Sequence, residues 1–252
     1  MNIVDQQIKN EMAIDCFLLA GRIMMESGAE TYRVEDTMLR MARSQNMVDA
    51  RSYATPTGII FSLGKTQPTR ISSISTRITD LHRIALVNNV SRKLTSQIIT
   101  LEQAYDELKN IEKTNYFLPM YIQVLCASIA SAAFMILFDG RWSDMPAAFI
   151  AGGIGHYVVC IVHEKTRVKF FSEFFAALVV AALAMFFVQY HFGTEIDKII
   201  IGSVMPLVPG LVITNAVRDL MAGHFIAGMA KGAEAFLTAF AIGSGVALVL
   251  SL

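Results

Sequence analysis

The first third of the chain has the hydrophobic spacing of short amphipathic helices. From Ile14, apolar residues recur every three or four positions with charged residues between them, which predicts a helix with one buried face. Gly28 can take the left-handed conformation that ends such a helix. A second helix follows from about Thr31, which the pattern predicts as its N-cap. Residues 27–31 are therefore predicted to form a tight corner between two helices.

After the second helix the period changes to that of strands and then returns to that of helices. Three runs are rich in β-branched and aromatic residues and are separated by proline and glycine, which is typical of short strands. The predicted strands are 51–55, 58–63 and 69–78, and the predicted helices are 79–94 and 100–112. Residues 1–115 are therefore expected to form a small α+β domain, with helices covering one face of a three-stranded sheet.

The second half consists of long apolar segments joined by short polar links. Residues 117–138 run for 22 positions without a formal charge, enough for a helix to cross about 30 Å of hydrocarbon. Four further crossings are predicted at about 145–162, 174–191, 199–217 and 233–252. The fold class is thus an α-helical integral membrane protein, with five transmembrane helices in residues 116–252 after a small α+β domain.

Composition supports a membrane protein and excludes several other classes. Hydrophobic residues make up 54% of the 252 residues and charged residues 17%, with a mean hydropathy of +0.49. The net charge of zero argues against a nucleic-acid binder, which needs an excess of Lys and Arg. Three widely spaced cysteines indicate neither a disulfide framework nor a metal site. Since no catalytic or cofactor motif occurs, we predict a protein that is not an enzyme and needs no cofactor or metal.

Positive charges near the ends of the crossings predict the orientation. With the N-terminal domain inside, seven Lys and Arg residues fall on the cytoplasmic side and two on the outside. The start of the chain lacks the basic and apolar pattern of a cleaved signal peptide. We therefore expect a multi-pass protein of the cytoplasmic (inner) membrane, with the N-terminal domain in the cytoplasm and the C-terminus outside.

Small residues recur every fourth position in two crossings, where they let helices approach closely. The rows are Ala147, Ala151 and Gly155 in the second crossing, and Ala239, Gly243 and Ala247 in the fifth. They predict either packing inside the bundle or a face for self-association or for a partner.

The fourth crossing is interrupted. Pro206, Pro209 and Gly210 lie within it, and the two prolines remove backbone donors and leave carbonyl groups without helical partners. Transporters use such breaks to bind ions and substrates, and the half-helix after Gly210 would offer free N–H groups to a carboxylate. The alternative is a proline kink whose backbone groups are satisfied by neighbouring helices.

Polar residues close to the break make it a candidate binding site. Ser203 precedes the prolines, and Asn215, Arg218 and Asp219 follow one to two turns after them. Arg218 can pair with Asp219 or with a substrate carboxylate; alternatively, the pair is an anchor beside the lipid headgroups. Further polar residues, Lys231 and Glu234 at the start of the fifth crossing, can complete the same cluster.

One histidine lies deep within a predicted crossing. His156 is ionisable and sits in the second crossing, so it is a candidate proton relay. The alternative is a histidine that only hydrogen-bonds a neighbouring helix.

Two stretches of sequence together resemble the threonine/serine exporter (ThrE) family. They are residues 26–35, and residues 201–210 with Asn215, Arg218 and Asp219 after them. The resemblance implies that full-length members have a soluble domain followed by two five-crossing units, and that this chain has the soluble domain and the first unit. The resemblance implies the split form, in which a separate five-crossing subunit is the partner and succinate is the exported metabolite. The fused form is associated with threonine and serine, and the proton gradient is the implied driving force.

The charged residues within 26–35 suggest a further hypothesis. Glu30, Arg33 and Glu35 lie at the start of the second helix, where they predict a surface for docking or gating against the membrane unit. Solvated helix-end charges are the alternative. The main functional prediction is a subunit of a secondary exporter of a small carboxylate-bearing metabolite. The alternatives are a membrane-anchored hydrolase or transferase with a cytoplasmic catalytic domain, and a non-transporting assembly subunit.

Overall fold

The computed structural model describes residues 3–64, 68–114 and 116–252, so residue 115, the predicted domain boundary, lies outside the described residues. The described chain is mostly helical, with one small sheet. Its helices are α1 Ile3–Glu26, α2 Thr31–Ser44, α3 Leu81–Thr95, α4 Leu101–Lys113, α5 Met120–Leu137, α6 Met145–Thr166, α7 Lys169–Gln189, α8 Ile196–Val204, α9 Gly210–Met221 and α10 Phe225–Leu250. Its strands are β1 Arg51–Thr55, β2 Gly58–Ser62 and β3 Arg70–Ser73.

The chain divides into two compact units that are not continuous in sequence. Unit 1 consists of Met1–Tyr116 and Leu211–Gly232, and unit 2 of Phe117–Gly210 and Ala233–Leu252. Almost all of α9 and the first two turns of α10 therefore belong to the same unit as the N-terminal domain. Polar residues of α9 and of the start of α10 therefore contact polar groups of the N-terminal domain.

Unit 1 is built on an antiparallel sheet with the order β1-β2-β3. Successive residues of β2 point to opposite faces: Ile59 and Phe61 are fully buried, whereas Ile60 is exposed. The ring of Phe61 packs edge-on against Phe17 of α1 at 5.9 Å between centroids. The predicted three-stranded sheet is confirmed, and its buried face packs against α1.

Three boundaries of unit 1 differ from the sequence prediction. Helix α1 begins at Ile3, eleven residues before the periodicity that starts at Ile14. The third strand is only Arg70–Ser73. Thr31 is not the N-cap but the first residue of α2; Glu30 is the N-cap, in an extended conformation and without a side-chain capping bond. Thr31 lies inside the helix, and its hydroxyl bonds a residue far away in sequence, as described below.

Unit 2 contains the long apolar helices. Four segments are long and apolar enough to cross a membrane: Met120–Leu137, Trp142–Thr166, Lys169–Gln189 and Phe225–Leu250, the last beginning in unit 1. The broken pair Ile196–Leu207 and Gly210–Met221 makes a fifth if it is counted as one span. The described chain therefore has four or five candidate spans.

Close helix packing in unit 2 depends on small residues. A Cβ atom on Gly202 of α8 would lie 2.8 Å from the backbone of Met135 in α5, so no larger residue fits without a shift. The α6 row of Ala147, Ala151 and Gly155 is buried. The α10 row of Ala239, Gly243 and Ala247 is exposed instead, and a Cβ atom on Gly243 would meet nothing within 4 Å. Packing inside the bundle therefore explains the first row but not the second.

One buried carboxylate joins two helix starts in unit 2. Asp144, just before α6, is fully buried and accepts hydrogen bonds from the backbone N–H of Thr194 at 3.0 Å and of Glu195 at 2.9 Å. These donors precede α8, and Arg141 pairs with Glu195 at 3.1 Å beside them. The carboxylate thus satisfies donors at the entry to α8 that no intrahelical carbonyl can reach.

Candidate functional site

The corner between α1 and α2 is a helix C-cap with glycine in the left-handed conformation. Gly28 has φ +84°, its N–H donates to Met25 O at 3.1 Å, and the N–H of Ala29 donates to Met24 O at 3.0 Å. This pair of bonds is the Schellman arrangement, which ends a helix when a residue without a Cβ penalty occupies the left-handed position. The predicted tight corner is therefore present, and it directs Gly28, Ala29 and Glu30 away from α1.

Asp219 of α9 completes the N-terminus of α2. Its Oδ1 accepts from the backbone N–H of Thr31 at 2.9 Å, and its Oδ2 accepts from the Thr31 hydroxyl at 2.9 Å. The first N–H groups of a helix have no intrahelical partner, and a negative charge there interacts favourably with the helix dipole. A carboxylate 188 residues away in sequence thus does the work that a local N-cap side chain usually does.

Lys231 of α10 neutralises this carboxylate. Its ammonium donates to Asp219 Oδ2 at 2.8 Å, to Ala29 O at 3.0 Å and to the Thr31 hydroxyl at 3.3 Å. All three donors of the ammonium are therefore used. Asp219 is 0% and the Lys231 side chain 7% exposed, so the pair is a closed buried ion pair whose remaining hydrogen bonds are satisfied.

The other polar residues of α9 also bind the corner. The Asn215 amide donates to Gly28 O at 2.8 Å, and the Arg218 guanidinium donates to Glu30 Oε1 at 2.6 Å. Arg33 donates to the second oxygen, Oε2, at 3.2 Å. Burial opposes ionisation of Glu30, but its backbone hydrogen bond and the two guanidinium groups outweigh that effect and lower its pKa. Glu30 is therefore an anion at neutral pH, held between two arginines.

Arg218 is the most accessible charged group of this arrangement. Its side chain is 56% exposed, whereas that of Glu30 is 7% exposed. Its Nη1 donates to Glu30, and the other nitrogens of the guanidinium can reach solvent. A guanidinium with this exposure can exchange one carboxylate for another.

Glu35 and His224 form the edge of the same cluster. The N–H of Ala54 in β1 donates to Glu35 Oε1 at 2.7 Å, and His224 Nδ1 lies 3.8 Å from that oxygen. Burial raises the pKa of Glu35, against the opposing effects of the Ala54 N–H and of His224. The backbone N–H of His224 also donates to Asp219 O at 2.8 Å, which ties the turn after α9 to the cluster.

Unit 1 therefore brings together six of the predicted site residues. Three come from the predicted binding site and three from the predicted docking or gating surface: Asn215, Arg218, Asp219, Glu30, Arg33 and Glu35. Lys231 joins them, as the sequence suggested, and Glu234 pairs with Lys169 at 2.9 Å in unit 2. Arg218 pairs with Glu30 rather than with Asp219. We call the seven residues, with Thr31 and His224, the corner cluster.

The remaining predicted site residues belong to unit 2. Ser203 is buried and donates from its hydroxyl to Ala148 O of α6 at 3.2 Å. A short 3₁₀ helix, Met205–Leu207, contains Pro206, and the N–H of Gly210 donates to Val208 O at 2.8 Å beyond it. The predicted interruption at Pro209 and Gly210 is thus present as irregular backbone between α8 and α9.

The proton-relay candidate has a sulfur neighbour on its own helix. His156 Nε2 lies 3.7 Å from Cys160 Sγ, one turn later in α6. His156 is half-buried, and this contact is local to the helix. A role for His156 as a relay stays a prediction.

Sequence reasoning missed Thr31 and His224 as members of the cluster. Neither residue has a local signal, because each acquires its role from a segment about 190 residues distant. Thr31 follows a predicted helix corner, and a threonine there reads as an ordinary cap. The one usable signal was the coincidence of two charged motifs in one chain, since buried charges need partners of opposite sign.

Comparison with known proteins places the chain in a family. The family model described as "Putative threonine/serine exporter" matches residues 15–252. The chain is 23% identical to "Probable succinate transporter subunit YjjP" of Escherichia coli, over 100% of this chain and 97% of that protein. It is 22% identical to "Probable threonine/serine exporter" of Mycobacterium tuberculosis, over 95% of this chain and 45% of that protein.

A fungal relative is similar over one part of its length. "Pheromone-regulated membrane protein 10" of Debaryomyces hansenii is 25% identical over 98% of this chain, which spans 26% of that protein. No solved structure matches the chain. The family model covers nearly the whole sequence, including both charged motifs of the corner cluster and the proline break. The chain therefore belongs to the threonine/serine exporter family and is a multi-pass membrane protein.

Proposed function

We propose that the chain is a subunit of a secondary exporter that moves a small carboxylate-bearing metabolite across the cytoplasmic membrane. The relatives are named as a succinate transporter subunit and a threonine/serine exporter, and both kinds of substrate carry a carboxylate. A guanidinium is the side chain that best matches a carboxylate, because it offers two parallel donors. The substrate class is therefore carboxylate, either a dicarboxylate such as succinate or an amino acid such as threonine.

The observation that carries the proposal is the Arg218–Glu30 pair. Arg218 of α9 already holds a carboxylate at 2.6 Å, and that carboxylate belongs to the chain's own corner. A substrate carboxylate that displaced Glu30 would find the same guanidinium and, beside it, the Asn215 amide now bound to Gly28 O. Glu30 thus acts as an internal competitor, and substrate binding breaks the Arg218–Glu30 contact.

Asp219 and Lys231 have a different role in this proposal. Their hydrogen bonds are satisfied within the cluster and their side chains are almost completely buried, so they hold α9 and α10 on the corner. Arg218 and Asn215 would then open and close beside a fixed point. The corner therefore couples the N-terminal domain to the half-helix that follows the proline break, which is the gating role that we assign to Glu30, Arg33 and Glu35.

The membrane arrangement that we propose has five crossings, with the broken pair α8 and α9 as the fourth. The N-terminal domain lies in the cytoplasm and the C-terminus outside, as the distribution of Lys and Arg indicates. The proline break at Pro206, Pro209 and Gly210 then lies within the membrane, where irregular backbone is tolerated if protein buries it or if it lines a wet cavity. The proton gradient is the driving force.

The proposed partner is a separate five-crossing subunit. This chain spans 45% of the Mycobacterium tuberculosis relative, so that relative has about as much sequence again that this chain does not cover. The exposed small-residue face of α10, at Ala239, Gly243 and Ala247, would let a partner helix approach closely. Self-association through this face is the alternative.

Efflux of labelled succinate and threonine from vesicles that hold the chain and its partner tests the proposal. Arg218→Ala and Asn215→Ala should lower efflux at least tenfold while leaving the amount of protein in the membrane unchanged. Arg40→Ala is the matched control, because Arg40 also pairs with an acid, Asp36 at 2.8 Å, on the exposed side of α2. Wild-type efflux from both cluster variants would contradict the assignment, and absence of efflux from wild type with its partner would contradict the exporter function itself.

A further inference from the structure

Glu173 near the start of α7 is buried without a full set of partners. The residue is 6% exposed, and its Oε2 has no hydrogen-bond partner among the described residues. It lies within Lys169–Gln189, a helix apolar enough to cross a membrane. The predicted third crossing began one residue later, at 174, so sequence reasoning placed Glu173 in a polar link. Buried acidic side chains in such helices usually serve ions or protons.

A buried hydroxyl of α10 lies close to this carboxyl. Thr238 is 0% exposed, and within the part of the chain that the structure describes its Oγ1 has no partner at good hydrogen-bond geometry. Thr238, Lys169 and Glu234 are the groups that act on the Glu173 carboxyl. A protonated carboxyl can donate to a hydroxyl and an ionised one can accept from it, so Thr238 can serve Glu173 in either state.

The ammonium one turn before Glu173 is held by another carboxylate. Lys169 lies one turn earlier on α7, and its ammonium donates to Glu234 of α10 at 2.9 Å. Among the described residues, the charged groups that act on Glu173 are Lys169 on α7 itself and Glu234 on α10. Helices α6 and α8 also pack on α7, and neither contributes a charged group that acts on Glu173. The ammonium that could compensate an ionised Glu173 is therefore bound to another carboxylate.

Glu173 cannot relieve its burial by turning aside. Ala176, Ala177 and Val180 follow it on the buried face of α7 and are all 0% exposed. Helix α10 packs closely on this face, since a Cβ atom on Gly245 would lie 2.4 Å from Phe174 O. If packing alone decided this position, an alanine like its neighbours would fill it without the cost of a buried polar atom.

We propose that Glu173 is the proton-carrying site of unit 2. The carboxyl takes a proton from water on one side of the membrane and returns it to water on the other, so that no further reactant is needed. When Glu173 loses its proton, the Lys169 ammonium moves from Glu234 toward it, and when the proton returns, the Lys169–Glu234 pair re-forms. This role rests on the proposed exporter function, because it supplies the coupling between the proton gradient and substrate movement.

Two transport modes separate proton coupling from substrate binding. Net efflux against a concentration gradient requires a proton to move, whereas exchange of labelled for unlabelled substrate across the membrane does not. In vesicles that hold the chain and its partner, Glu173→Gln should lower pH-driven net efflux of succinate or threonine at least tenfold. Exchange by the same variant should stay within about twofold of wild type. Glu164→Gln, at an exposed carboxyl near the end of α6, is the matched control and should leave both modes unchanged.

The outcomes distinguish this proposal from the exporter function. Net efflux by Glu173→Gln with wild-type pH dependence would overturn it, and so would loss of exchange together with net efflux. If wild type transports neither substrate, the exporter function has failed and a second measurement decides for Glu173. Infrared difference spectra of the purified full chain between acid and alkaline pH should show a buried protonated-carboxyl band that is absent from Glu173→Gln. Identical bands in both proteins would overturn the proposal.

Discussion

Removal of the Asp219 carboxylate should lower the free energy of unfolding by more than the loss of an exposed ion pair does. Asp219→Ala leaves the Lys231 ammonium buried without its counter-charge, and it also removes the acceptor for two donors of Thr31. Loss of one partner of a buried ion pair typically costs about 3–5 kcal/mol. The lower end of that range applies here, because Lys231 keeps its bonds to Ala29 O and to the Thr31 hydroxyl.

Reversible unfolding by denaturant in mild detergent measures this free energy. Lys93→Ala is the matched control, since Lys93 also pairs with an acid, Glu107 at 3.0 Å, but both side chains are more than a third exposed. That variant should lose less than about 1 kcal/mol. Asp219→Ala combined with Lys231→Met should lose less than the sum of the single changes, by about 1–3 kcal/mol. Equal losses for Asp219→Ala and Lys93→Ala would show that the buried pair contributes no more to the free energy of unfolding than the exposed pair does, contrary to this prediction.

Three other changes test separate parts of the structure. Gly245→Ala should destabilise the chain by about 1–3 kcal/mol, because the new Cβ atom would lie 2.4 Å from Phe174 O; Gly243→Ala, on the open face of the same helix, should leave the denaturation midpoint within error. Glu35→Gln should raise the free energy of unfolding at neutral pH. The pKa of Glu35 is raised above its ordinary value of 4.5, so the wild-type chain loses stability as the pH rises from 4.5 through the raised pKa, and the variant does not. A denaturation midpoint that falls equally with pH in both proteins would contradict this. Asp144→Ala should cost about 1–3 kcal/mol, because it removes the acceptor of two N–H groups at the entry to α8; an unchanged denaturation midpoint would contradict this.

Local signals in the sequence are sufficient to predict the corner and the sheet. Gly28 marks the end of α1 because only a residue without a Cβ adopts φ +84° at no cost. The strands follow from runs rich in β-branched and aromatic residues, such as residues 58–63, that proline and glycine separate. The proline break follows from the missing N–H groups of Pro206 and Pro209. Each of these features depends on neighbours a few positions away.

The corner cluster depends on contacts that no local pattern encodes. Asp219 bonds Thr31 across 188 residues, so the sequence shows two charged motifs but not their pairing. The rows of small residues in α6 and α10 read alike, yet Ala151 is buried and Gly243 is exposed. Glu173 fell just outside the predicted third crossing, 174–191, because hydropathy does not define the first residue of a helix. Tertiary packing decides all three cases.

The most direct test of the account is the effect of Glu30→Gln on substrate affinity. Glu30 occupies Arg218 as an internal competitor, so removal of its charge should free the guanidinium for a substrate carboxylate. Because Arg218 is 56% exposed, solvent screens its pair with the buried Glu30, and the pair contributes about 1 kcal/mol, which corresponds to a change of about fivefold. We expect the KM for efflux from vesicles with the partner to fall severalfold in Glu30→Gln, with Glu107→Gln unchanged. An unchanged or higher KM in Glu30→Gln would contradict the proposal that the corner and the substrate compete for Arg218.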